Sequence, residues 1–148
     1  EVSSSVMEIE KEDAAAMVMR FQSGALGTFV LSDQTASPWA WEFATGETPA
    51  FPRSGQNAVR FMGTKASLDF PNLMLWHHGD DTPDWNHVMK GEEIPLDFGN
   101  AYARQIAHFC AVISGREEPR ITAGDATETL RVTLAVFDAA KAGKRVML

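Results

Sequence analysis

Ala14-Ala15-Ala16-Met17-Val18-Met19-Arg20-Phe21 and Ala25-Leu26-Gly27-Thr28-Phe29-Val30-Leu31 are two apolar runs with a polar break at Ser23-Gly24 between them. Short runs of this composition, bounded by a turn dipeptide, predict two paired strands joined by a two-residue hairpin. A strand with one wet face alternates apolar and polar residues. Here odd and even positions are apolar alike, so both faces of the sheet are expected to be covered. Helices of the same chain can cover one face. The other calls for a second domain or a second copy of the chain.

Working outward, Val59-Arg60-Phe61-Met62 and Ser67-Leu68-Asp69-Phe70 flank Gly63-Thr64-Lys65-Ala66, the pattern of another hairpin. Leu73-Met74-Leu75-Trp76 reads as a short strand, His77 to Trp85 as a polar loop, and Val88 to Ile94 as a weak strand around Gly91. Between the hairpins, Trp39, Trp41 and Phe43 alternate with Ala40, Glu42 and Ala44. An extended chain would place the three rings on one face, before Gly46, Pro49 and Pro52 break the segment into a loop. The last third changes period. Tyr102, Ile106, Phe109, Cys110 and Ile113 make one helical stripe, with Asn100 as N-cap and Gly115 as the stop. A second helix opens on Thr122-Ala123-Gly124-Asp125, a capping box with Asp125 in the usual glutamate position, and carries Ala126, Leu130, Leu134, Phe137 and Ala140 to Gly143. Arg145 to Leu148 reads as a closing strand. Strands followed by helices predict an α+β fold over residues 1–148 as a single domain: an open, mainly antiparallel sheet with two main helices packed on one face.

The chain has 148 residues, about the size of one domain. With 13 Lys plus Arg against 20 Asp plus Glu the net charge is −7, which argues against nucleic acid and anionic membranes as partners. The longest uncharged stretch, Phe21 to Ser32, is shorter than the about 20 apolar residues of a membrane span. A single cysteine, Cys110, excludes an internal disulfide and a zinc–thiolate cluster; on the helical stripe it is expected in the core. A cytoplasmic protein is expected, and the opening Glu1 suggests a piece of something longer.

The densest polar cluster is His77, His78, Asp80, Asp81, Asp84 and His87. These are proper ligands for zinc, iron or manganese, but adjacent His77 and His78 would point to opposite faces of a strand and no His-x-x-x-His is present. A solvated loop is the expected reading, with no metal; a metal enzyme built on His77 and His87 is the outside alternative. The Trp39, Trp41, Phe43 stripe suits packing or a subunit contact. It also suits a platform for the apolar face of a sugar, with Glu42 and Arg53 beside it to take hydroxyls or a carboxylate. Tyr102 opens the first helix, where a phenol can be half-buried with its hydroxyl free. The expected substrate contacts are therefore Trp39, Trp41, Glu42, Arg53 and Tyr102. His108 is expected to be partly buried. No serine, cysteine or histidine triad assembles, and there is no Gly-x-Gly-x-x-Gly or phosphate loop, so no catalytic, cofactor-binding or metal residue is assigned.

Ala101-Tyr102-Ala103-Arg104-Gln105-Ile106-Ala107-His108-Phe109, then Ile113-Ser114-Gly115-Arg116-Glu117-Glu118-Pro119, Thr122-Ala123-Gly124-Asp125-Ala126 and Ala139-Ala140-Lys141-Ala142-Gly143-Lys144 resemble the C-terminal signature of the glucose–fructose oxidoreductase, inositol dehydrogenase and rhizopine-catabolism (Gfo/Idh/MocA) family. Phe21-Gln22-Ser23-Gly24-Ala25-Leu26-Gly27 and Gly63-Thr64-Lys65-Ala66-Ser67-Leu68 resemble its hairpins, Ala66 standing where a glycine is usual. The order and spacing of the pieces, from about Asp13 to Leu148, carry the resemblance.

The resemblance implies a dihydrodipicolinate-reductase-like C-terminal domain without the Rossmann domain that binds NAD or NADP in the intact enzyme. The family's catalytic Glu-Lys-Pro motif belongs to that missing half; Glu10-Lys11-Glu12 is not that motif, and the aspartate and histidine of some members find no match here. It further implies sugars, polyols or their acids as substrates, and self-association through the sheet face. The expected function is part of an NAD(P)-dependent sugar oxidoreductase, this chain alone being inactive and holding no cofactor. The alternative is a non-catalytic dimerisation or sugar-binding module.

Overall fold

The computed structural model describes residues 1–3, 11–80, 82–96 and 99–148; Glu10 and Asp81 lie outside the described residues. In chain order the elements are β1 (Val2–Ser3), β2 (Ala14–Arg20), β3 (Leu26–Ser32), α1 (Trp41–Thr45), β4 (Val59–Met62), β5 (Ala66–Phe70), β6 (Met74–His77), β7 (Lys90–Glu93), α2 (Ala101–Ile113) and α3 (Ala123–Ala142). The α+β class and the antiparallel pairing expected from the sequence hold, with the strands divided between two sheets. The chain gathers into two compact units, Glu1–Ala36 with Gly115–Leu148, and Ser37–Ser114.

In the first unit β2 lies between β1 and β3. The β2–β3 register runs from Ala14↔Ser32 to Arg20↔Leu26. The pleat therefore puts Ala16, Val18, Val30 and Leu26 on one face and Ala15, Met17, Phe29 and Leu31 on the other, so both faces are apolar, as the two runs predict. Val18 is 75% and Val30 83% exposed. The hairpin turn is longer than the two residues expected. Phe21 N–H donates to Ala25 O (2.9 Å) and Gly24 N–H to Phe21 O (2.9 Å), and Gly24, at φ +92°, closes a wider turn in a conformation that only glycine adopts without strain.

α3 begins as the sequence predicts. Thr122 and Asp125 form a capping box, and Gly143 ends the helix in the left-handed region. Leu130, Leu134 and Phe137 are exposed along it, and none of its residues is buried. Arg145 to Leu148 is not the closing strand expected: it joins no ladder among the described residues, and without a hydrogen-bonded neighbour there an apolar run does not make a strand.

In the second unit β4 to β7 form a meander in chain order. Val59↔Phe70 and Met62↔Ser67 bound the first hairpin, closed by Gly63 N–H to Ala66 O at 2.9 Å. Arg60, Asp69, Met74 and Glu93 line up across all four strands, and Met62, Ser67, Trp76 and Gly91 follow in the next row of the same face. In α2 the Asn100 side chain accepts from Ala103 N–H, and Gly115 takes φ +69° just past the end. Tyr102, Ile106, Phe109 and Ile113 are exposed on it, and only Ala111 is buried. Cys110 is exposed rather than in the core: the stripe on which it sits is not covered by the described residues. His108 is half-buried as expected.

The segment around the tryptophans is helical, not extended. Ala40 precedes α1 with φ −58° and ψ 144°, Thr45 Oγ1 donates to Trp41 O (2.9 Å), and Gly46 at φ +67° stops the helix. A helix turns about 100° per residue, so Trp41 and Phe43 diverge where a strand would have aligned them. The Trp41 ring stacks on Phe70 at 5.3 Å, whereas Phe43 meets Phe51 edge-on at 5.6 Å. Trp39 lies before the helix, exposed.

Candidate functional site

The second unit holds a cleft of about 400 Å³ lined by Arg53, Pro71, Asn72, Met74, Glu93, Ile94 and Leu96. The chain builds it from three pieces. The first is the segment after α1. Ser54 N–H donates to Phe43 O (2.7 Å) and Ser54 Oγ to Pro38 O (2.6 Å), which holds this segment against the α1 region. Gly46 lets it come close, since a Cβ there would stand 3.4 Å from Arg53 Cδ. The second piece is the turn between β5 and β6. Asn72 Nδ2 donates to Gly55 O (2.8 Å), and Asn72 N–H donates to Asn57 Oδ1 (3.2 Å). One asparagine thus ties the Arg53 segment to the turn through both side chain and backbone. The third piece is the end of β7, where Ile94 N–H donates to Leu73 O at 3.0 Å.

The lining is mixed: a guanidinium, a carboxylate and a carboxamide among aliphatic groups. That composition suits a small ligand with hydroxyls or a carboxylate on an apolar frame. Of the sequence-predicted contacts, Arg53 lines the cleft; Trp39, Trp41, Glu42 and Tyr102 do not. Trp41 reaches its edge indirectly, through Phe70, the neighbour of the lining residue Pro71. Its Nε1 donates to Glu47 Oε2 at 3.2 Å. Glu42 in the first turn of α1 and Tyr102 in the first turn of α2 are both exposed. Asn72, Met74 and Glu93 escaped the sequence reading. Pro71-Asn72 between two strands was the available signal, because Asn after Pro marks a tight turn whose side chain bonds to backbone.

The histidine-rich loop divides into two separate pairs. His77 Nε2 lies 3.0 Å from Glu92 Oε1, and its Nδ1 accepts from Gly79 N–H at 2.9 Å. His87 Nδ1 lies 2.7 Å from Asp84 Oδ1. That hydrogen bond with His87, helped by Asn86 N–H, holds the Asp84 carboxyl below its ordinary range. Among the described residues no three His, Cys, Asp or Glu side chains converge as a metal site would require; Asp81 lies outside them.

The first unit has a different cavity, about 420 Å³, along Ala14, Ala15, Ala16, Val30 and Leu31. Its lining is mainly aliphatic, with Glu1, Ser32, Gln34 and Thr35 beside these residues, so it suits protein side chains better than a sugar. No described strand pairing is parallel, so the described residues contain no strand–helix–strand crossover of the kind that cradles a dinucleotide. No described helix is long and apolar enough to cross a membrane.

The family described as "Oxidoreductase family, C-terminal alpha/beta domain" matches over residues 2–148. No curated protein and no solved structure matches.

Proposed function

The chain belongs to the Gfo/Idh/MocA oxidoreductase family as its C-terminal α/β domain, and on that premise we propose that it serves an NAD(P)-dependent oxidoreductase acting on a sugar, polyol or related carbinol. In this reading residues 1–148 act as one domain, supply part of the substrate pocket and form the subunit interface. The nicotinamide nucleotide is held by an N-terminal Rossmann domain and supplies the hydride acceptor or donor. The described residues hold and orient the substrate.

The family match carries the reading, and the Arg53–Asn72–Glu93 cleft supports its substrate half. A guanidinium can donate two hydrogen bonds in one plane to a carboxylate or a diol, Glu93 can accept from a hydroxyl, and Met74 and Ile94 cover the carbon frame. Trp39, Trp41, Glu42 and Tyr102 stay proposed as wall residues, contributing when the Rossmann domain is in place. The apolar faces of β2 and β3 support the interface half.

The test is an assay of the natural full-length protein for sugar-dependent reduction of NAD⁺ or NADP⁺, with a panel of aldoses, inositols and linear polyols. Turnover with one class is expected, together with loss of saturation when Arg53 becomes alanine. Failure of every substrate with either nucleotide, from protein that still binds sugars, favours a non-catalytic sugar-binding or dimerisation module instead. A cytoplasmic location is proposed with the enzyme reading and is checked by fractionation.

A further inference from the structure

We infer that His77 is a proton-operated latch on the loop that joins β6 to β7. The neutral ring holds the first turn of the loop shut, and protonation releases it. The latch lies outside the substrate cleft and is independent of what the cleft binds.

The strand register puts His77 opposite Lys90 of β7 and Ala66 of β5. Its side chain therefore shares a sheet face with Leu75 and Glu92, and not with Trp76. Two contacts compete for the ring. On one side Gly79 N–H donates to Nδ1 at 2.9 Å. A ring nitrogen that accepts a hydrogen bond carries no proton, so this bond exists only for neutral imidazole with its proton on Nε2. On the other side Glu92 Oε1 stands 3.0 Å from Nε2. Nε2 is buried, yet its N–H has no well-aligned acceptor among the described residues. The Glu92 contact is thus chiefly ionic, a poor partner for the neutral ring and a good one for the cation.

Uptake of one proton at Nδ1 reverses this balance. Gly79 N–H then meets another N–H instead of a lone pair, and the bond that closes the turn is lost. Glu92 holds the cationic ring on the sheet, so the turn yields rather than the histidine. Gly79 is suited to yield, because it sits at φ +66°, a left-handed conformation that glycine enters and leaves without strain. Lys90 adds to the effect. A Cβ at Gly79 would stand 3.1 Å from Lys90 Nζ and 3.9 Å from His77 Nδ1, so an ammonium lies beside the same turn and repels a second cation there. The other titratable groups flanking the ring are Lys65, which precedes Ala66, and His78 and Asp80 in the turn itself; Asp81 lies outside the described residues.

The far end of the loop answers acid differently. Asp84 Oδ1 lies 2.7 Å from His87 Nδ1 and accepts from Asn86 N–H at 2.8 Å. The hydrogen bond with His87 keeps this carboxyl ionised to a lower pH than an ordinary aspartate, so the pair survives protonation of its histidine. Acid therefore opens the first turn of the loop and leaves the Asp84 turn closed. The latch also closes one end of the strand pair whose other end brings Met74 and Glu93 to the cleft.

The test is amide exchange with ring titration on the uniformly ¹⁵N-labelled full chain between pH 8 and pH 5, the range in which histidine changes charge. The four histidine rings are followed through their carbon-bound protons, and His77→Gln assigns the signal of interest. Protection of the Gly79 amide, corrected for the intrinsic rate at each pH, is expected to fall about tenfold as one hydrogen bond is lost. The fall is expected to track the His77 ring, while the Asn86 amide and the amides of β5 and β6 keep their protection. In His77→Gln, which takes up no proton, the pH response of Gly79 is expected to vanish, whereas His87→Gln is expected to leave it intact. A His77 ring that titrates while Gly79 stays protected overturns the latch, as does a ring that takes up no proton above pH 5. A Gly79 response that survives in His77→Gln, or that is lost in His87→Gln, assigns it to another group and overturns the latch too. Loss of protection along β5 and β6 together with Gly79 is unfolding of the sheet rather than release of a turn, and likewise overturns it.

Discussion

Trp41 and Phe70 lie with ring centroids 5.3 Å apart and planes inclined by 27°, an offset stack that joins α1 to the end of β5. This contact sets where the Arg53 segment begins, because α1 and that segment are tied together by Ser54. Truncating a fully buried aromatic to alanine costs about 3–5 kcal/mol. Trp41 is 44% exposed, so Trp41→Ala is expected to cost about 2 kcal/mol and Trp41→Phe markedly less. Urea unfolding of both variants measures this. Equal stability of wild type and Trp41→Ala would show that the stack does not anchor α1.

Arg53 is the sequence-predicted contact that lines the cleft, and its substitution separates binding from chemistry. In the intact oxidoreductase Arg53→Ala is expected to raise KM about tenfold or more, the loss of a charge-assisted hydrogen bond, with kcat changed less. Arg53→Lys keeps the charge but not the planar fork, so it is expected to recover only part of the loss. A normal KM in Arg53→Ala removes the cleft from the substrate site.

The outer positions of β2 and β3 predict association. Val18 and Val30 are apolar, exposed and on the same sheet face. Contiguous exposed apolar surface on a folded chain marks an interface. Val18→Glu is expected to weaken self-association by about a hundredfold or more, since it would bury an unpaired charge. It is expected to leave monomer stability within about 0.5 kcal/mol, as exposed sites do. Sedimentation equilibrium of both proteins, with thermal melts, checks the pair of outcomes. A wild-type chain that stays monomeric at high concentration sinks the interface half of the proposed function.

What the sequence disclosed and what it hid follow from the range of the forces involved. The caps at Asn100, Thr122 and Asp125 and the stops at Gly115 and Gly143 were legible because each is a local contest between a side chain and the next turn of backbone. The doubly apolar β2 and β3 were legible because strand faces alternate with period two. The alternating rings at Trp39, Trp41 and Phe43 misled for the same reason. Period two says nothing when a helix forms instead, and α1 is decided by a Thr45 hydroxyl, a left-handed Gly46 and a stack on Phe70, which is distant in sequence. The cleft was hidden because Asn72 is tied to the Arg53 segment by hydrogen bonds to Gly55 and Asn57, more than ten residues away, and Glu93 reaches Met74 only through strand register. Trp76 reads from its sequence neighbours as an ordinary strand residue. Its partner Asp69 lies on the neighbouring strand, and no local pattern joins the two.

The start of α3 gives a pH dependence with a definite sign. Thr122 Oγ1 accepts from Asp125 N–H at 3.2 Å, while the Asp125 carboxylate accepts from the Thr122 hydroxyl at 2.7 Å and from Thr122 N–H at 3.0 Å. The bond from the Thr122 hydroxyl, reinforced by that from its backbone N–H, lowers the Asp125 pKa below the ordinary value. A carboxyl whose folded pKa is lowered binds its proton more readily in the unfolded chain. Its stabilising contribution is therefore complete above the unfolded value of about 3.9 and is lost as the pH falls through the lower folded value. Between pH 5 and 7 the capping box is expected to contribute a constant amount. In stronger acid the first turn of α3 frays, and amide exchange at Ala123 to Ala126 speeds up before that of the helix centre. Asp125→Asn cannot carry the charge, so its α3 N-terminus is expected to exchange faster at neutral pH and to lose this acid dependence. A carboxyl titration of Asp125 at or above the ordinary value, or an Asp125→Asn variant with the same acid response as wild type, would show that the Thr122 hydrogen bonds do not hold the charged form.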